Sequence, residues 1–155
     1  IKSFASSTDL EFIAMHVYPT NGEFLQRIQT IAEIAREYNK SLILDEAWLY
    51  KTDAITSSVA ASVDVFRRDA ISFWAPLDQQ LLSVIVRSAR PYNIEYISPF
   101  CTTFFFSYIE YDTSTANLPY DESTGLVNRR AAENILVGKF TTTGEFYGRL
   151  IRENT

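Results

Sequence analysis

Ser41-Leu42-Ile43-Leu44-Asp45-Glu46-Ala47-Trp48-Leu49-Tyr50 decides the fold. An apolar run, short enough for a buried strand, ends in two carboxylates and a tryptophan. Strands buried on both faces of a parallel sheet read as continuous Val/Ile/Leu runs rather than alternating ones. Carboxylates are costly inside such a strand, so Asp45 and Glu46 belong at its end. In parallel α/β architectures the carboxyl ends of the strands carry the functional groups. Glu46 is therefore the first candidate for chemistry, with Trp48 beside it as a flat face for a ligand.

Working outward, residues 11–18 read as a second buried strand, Glu-Phe-Ile-Ala-Met-His-Val-Tyr, stopped by Pro19. Thr20-Asn21-Gly22-Glu23 has capping-box spacing, with Thr20 as N-cap. Phe24, Ile28, Ile31, Ala32 and Ala35 then repeat as one helical face, to a stop at Asn39. Strand, helix and strand joined by short links make the βαβ unit of a parallel sheet. Residues 51–58 read as a loop and 59–68 as a short helix. Pro76 interrupts the next segment, Asp78 caps a helix over 78–90, and Pro91 ends it. A third strand region spans 94–109 and includes Thr103 to Tyr108. Residues 110–128 read as loop, and 129–137 and 143–152 as helical. The expected fold class is α/β, a single domain over 1–155 built of parallel βα units.

Composition narrows the function. The 155 residues carry a net charge of −5 and 46% apolar side chains. No basic stripe occurs, which argues against a nucleic-acid partner. No apolar run approaches the ~20 residues that cross a bilayer, so no membrane partner is expected. Cys101 is the only cysteine and His16 the only histidine, too few for the usual zinc ligand sets. Cys101 reads as a small buried hydrophobe. Aromatic residues make up 14%, which suits a dense core or a site for sugar rings. The chain opens at Ile1 and its only methionine is Met15, so it reads as an internal or processed piece of a longer polypeptide.

Three places resemble one family. His16-Val17-Tyr18-Pro19 is similar to the end of the sixth strand, and Leu44-Asp45-Glu46-Ala47-Trp48 to the end of the seventh, in retaining glycoside hydrolases of the large clan with a (β/α)8-barrel catalytic domain. Ile97-Ser98-Pro99-Phe100 with Phe104-Phe105-Phe106-Ser107-Tyr108 resembles the eighth strand and its aromatic exit. Thr143 to Ile151 resembles the closing helix. The resemblance implies the C-terminal part of a TIM (β/α)8 barrel, incomplete without preceding residues, and retaining hydrolysis of a glycosidic bond. Glu46 would be the nucleophile, His16 and Tyr18 would orient it, and Trp48 would line the sugar subsite. No cofactor or metal is implied. The partners would be a carbohydrate substrate and the N-terminal remainder of the barrel, or a second copy. The clan's acid/base Glu follows an Asn, and no Asn-Glu dipeptide occurs here, so the general acid would come from outside this chain.

Each candidate also has a plainer role. Glu46 would pair with an arginine or a helix start, His16 would be a satisfied core group, and Trp48 would cover the core rim. Strand alternation sends Asp45 to the face opposite Glu46, where it bonds a neighbouring backbone or helix; its rival role is a metal pair with Glu46. The alternative function is a non-catalytic α/β domain that binds a partner.

Overall fold

The structure is a computed structural model that describes residues 1–19, 22–52 and 62–154. Three strands form one parallel sheet: β1 (Phe12–Val17), β2 (Ser41–Ala47) and β3 (Ile94–Pro99), in the order β1-β2-β3. Helix α1 (Lys2–Ser7) precedes the sheet, and α2 (Phe24–Glu37) links β1 to β2. Helices α3 (Ser62–Asp69) and α4 (Ala75–Tyr92) lie between β2 and β3, and α5 (Tyr120–Leu136) and α6 (Thr142–Asn154) close the chain. The parallel βα order expected from the apolar runs is the order found.

The sheet has a covered and an open face. Leu42 and Leu44 are fully buried, and their partners in register, Ile13 and Met15, are half-buried. Ile28, Ala32 and Ala35 of α2, with Leu82 and Ile85 of α4, complete one core that reaches Val127 of α5 and Leu150 of α6. The other face carries Phe12, Ala14, Ile43 and Tyr96, of which only Ile43 is not exposed. Among the described residues no strand pairs with the outer edges of β1 and β3.

Helix ends follow local chemistry. Asn39 (φ 53°) and Asn93 (φ 52°) take the left-handed conformation that ends α2 and α4, a role asparagine fills when glycine is absent. Thr20, the expected N-cap of α2, lies outside the described residues; Glu23 holds the cap position without a side-chain cap bond. Residues 53–61, most of the expected loop and the start of the expected helix, also lie outside them.

Five expectations change. Pro76 does not interrupt a segment but sits in the first turn of α4, where its missing N–H costs nothing. Asp78 is consequently a first-turn residue and not the cap. Pro91 lies in the last turn of α4, which continues to Tyr92. Residues 102–105 form a 3-10 turn rather than strand. A strand would send Phe104 and Phe105 to opposite faces; the turn instead brings both rings onto Trp48, at 5.8 and 6.2 Å between centroids. Helix α5 begins at Tyr120, within the expected loop, because Pro119 opens it and Asp121 and Glu122 favour its first turn.

Candidate functional site

The carboxyl end of β2 gathers the polar groups. Met15 pairs with Leu44 but His16 pairs with Glu46, so Asp45 is the extra residue of a bulge. This breaks the alternation that would separate Asp45 from Glu46. Both carboxylates therefore flank one imidazole: His16 Nε2 lies 3.5 Å from Asp45 Oδ2, and His16 Nδ1 lies 3.4 Å from Glu46 Oε2. Asp45 is exposed and lies beside His16 on the side of Glu46, not on the opposite face as expected.

Tyr18, just beyond β1, donates its hydroxyl to Glu46 Oε1. Partial burial and the Glu46 carboxylate hold that hydroxyl protonated well above the usual tyrosine range. The Tyr18 ring is itself held in place. Tyr50 stacks on it at 4.6 Å with planes 8° apart, and Phe100 meets it edge-on at 6.2 Å. Phe100 reaches this position because its N–H donates to the carbonyl of Ala47.

His16, Tyr18 and Glu46 thus come together. Trp48 does not join them. Its backbone N–H donates to Val17 and its ring is 0% exposed, packed against Phe104 and Phe105. A fully buried ring offers no face to a ligand, so in this chain Trp48 is a core residue behind the site. The half-exposed Phe100 and the partly buried Tyr50 form the aromatic surface beside Tyr18 instead. Cys101 is partly buried, and burial pushes its thiol up to about 12.

Behind Trp48 lies a buried polar cluster that the sequence reading did not anticipate. Lys51 Nζ and Asp78 Oδ1 face one another at 2.6 Å, with both side chains 0% exposed. The backbone N–H of Lys51 donates to Asp69 Oδ1. Tyr108 donates to Asp78 Oδ2 at 2.7 Å and lies 3.2 Å from the Thr143 hydroxyl. The Lys51 ammonium also lies over the rings of Trp48 and Phe104, at 5.2 and 5.5 Å. Burial outweighs the attraction of Lys51 and pushes Asp69 up to about 6. Asp78 moves in the same direction for the same reason. Asp69 Oδ2 and Trp48 Nε1 are buried without hydrogen-bond partners.

This cluster ties the exit of β2 to α3, α4 and α6. Tyr50, adjacent to Lys51, is thereby fixed against Tyr18, and Tyr18 against Glu46. One signal for it was present in the sequence. Asp78, Leu81, Leu82 and Ile85 share one helical face, which put Asp78 on the core side of α4.

Among the described residues no group of three His, Cys, Asp or Glu side chains has the arrangement to hold a metal ion. No described helix is long and apolar enough to cross a membrane. No protein-family model, curated protein or solved structure matches the chain.

Proposed function

We propose that this chain is the C-terminal part of a (β/α)8-barrel glycoside hydrolase that retains anomeric configuration, with Glu46 as its nucleophile. The observation that carries the reading is the Tyr18 hydroxyl bonded to a carboxylate at the carboxyl end of the central parallel strand. Tyr18 holds one oxygen and His16 Nδ1 faces the other at 3.4 Å, so the carboxylate is oriented from both sides. The open sheet face and the unpaired edges of β1 and β3 suit completion by further barrel strands.

In this reading Glu46 attacks the anomeric carbon as the bond to the leaving oxygen breaks. That oxygen takes a proton from a general acid outside this chain, about 5–5.5 Å from Glu46 as retention requires. The same group then deprotonates water, which displaces Glu46 and releases the sugar. Tyr18 and His16 position the nucleophile. With Trp48 buried, Tyr50 and Phe100 supply the aromatic wall of the subsite in its place.

In the complete protein, Glu46→Gln keeps the shape of the side chain and removes its charge. Turnover of an aryl glycoside should fall by about three orders of magnitude or more with the fold kept. Undiminished hydrolysis would refute the assignment. The alternative, a non-catalytic partner-binding α/β domain, draws on the exposed Phe12 and Tyr96 of the open face. It predicts no glycoside turnover by the parent protein at all.

A further inference from the structure

A concave site lies outside the group around Glu46. The last turn of α3, the Ser72–Trp74 turn and the segment after β3 enclose a cleft of about 430 Å³. The parallel bridge between Ile71 and Ile109 forms its floor. The volume falls in the range of small-molecule pockets, and the lining is mostly apolar with a few polar groups, as such pockets are.

Two features of the lining go together. Phe73 is 72% exposed and Tyr111 68%, both large rings open to the solvent at the cleft. Arg67 and Arg68 also line it, and neither is in an ion pair among the described residues. Arg68 attracts the buried Asp69, and the neighbouring acids each accept hydrogen bonds from other groups. Asp69 accepts from the Lys51 backbone, Glu110 from Ser72, and Asp112 from Ser114 and Thr115. Two guanidinium groups thus line the cleft beside exposed aromatic rings. Guanidinium groups recognise carboxylates with charge-assisted, often paired hydrogen bonds, and aromatic faces take flat apolar surfaces.

We propose that this cleft binds a ring compound bearing one carboxylate, the anion on Arg67 and Arg68 and the ring face on Phe73 and Tyr111. Two sources share that chemistry: a uronic-acid unit of an acidic polysaccharide and a small aromatic acid. The site stands on its own lining and does not depend on the role given to Glu46.

Trp74 lines the cleft and Trp48 is buried, so tryptophan fluorescence reports occupancy. The complete protein is titrated with a glucuronate oligosaccharide, its neutral glucose counterpart and benzoate. Saturable binding of a carboxylate-bearing probe is expected, with the neutral sugar weaker by roughly tenfold or more. Arg67→Gln combined with Arg68→Gln should cost a similar factor, and Phe73→Ala should weaken binding with circular dichroism unchanged. Glu46→Gln should leave the affinity as it is, which separates this site from the proposed catalytic one. Glucuronate binding alone assigns the acidic sugar as the source, and benzoate binding alone assigns the aromatic acid. No saturation by either at millimolar concentration, equal binding of the neutral sugar, or full affinity in the double arginine variant would overturn the proposal.

Discussion

Lys51→Met is the most revealing perturbation of the fold. The substitution keeps an unbranched side chain of similar length and removes the ammonium. Lys51 is the cation paired with Asp78, and it also attracts Asp69. Both carboxylates are buried, so neither can recover its hydration. Removing one partner of a buried pair typically costs about 3–5 kcal/mol, because an uncompensated charge stays behind. For a chain of this size each kcal/mol moves the midpoint by roughly 2–4 °C, so a fall of about 6–20 °C is expected. The sign of the pH dependence is fixed by the same geometry. Without Lys51, the carboxyl groups of Asp69 and Asp78 rise further above their ordinary values. A group raised in the folded state gives its stability at low pH and loses it as pH rises through the folded value. The penalty of the variant should therefore be small near pH 4 and large near pH 7.5. Thermal unfolding of both proteins at the two pH values measures it. A loss under about 1 kcal/mol at pH 7.5, or an equal loss at both, would refute a charge-dependent role for the cluster.

Asp69→Asn keeps an acceptor for the Lys51 backbone N–H and removes the titration. Because Asp69 is raised from 3.8 to about 6, the parent should lose stability relative to the variant as pH rises through that window. The difference should reach up to about 3 kcal/mol at pH 7.5 by denaturant unfolding. Gly144→Ala tests the seat of α6: an added Cβ would stand 2.3 Å from the carbonyl oxygen of Phe105. That clash is with backbone, so a loss on the order of 2–3 kcal/mol is expected from the same measurement.

Strands β1 and β2 were legible because they are written as contiguous apolar runs, and α2 because its apolar residues repeat on one face. The 3-10 turn at 102–105 was not, since Thr103 to Phe106 has the composition of a strand and only packing around Trp48 selects the turn. The grouping of His16, Tyr18 and Glu46 was expected from their places at strand ends together with the family resemblance. The nearness of Asp45 was not, because a bulge depends on the pairing of two strands and leaves no mark in either. Trp48 was misplaced for a related reason. Beyond a strand end the period of two no longer fixes direction, and here the indole turned inward while Tyr50 stacked on Tyr18. Lys51 was missed because a buried lysine is explained only by partners distant in the chain, Asp69 and Asp78.

The central claim is that Glu46 becomes covalently bound to sugar. The direct measurement is peptide mass mapping of the complete protein after incubation with a 2-deoxy-2-fluoro glycoside carrying a good leaving group. Such a compound forms the glycosyl-enzyme and releases it slowly. The account predicts one added fluorosugar, on the peptide containing Glu46, and none in Glu46→Gln. An adduct on a different carboxylate, or none in a protein that hydrolyses the parent glycoside, would contradict it.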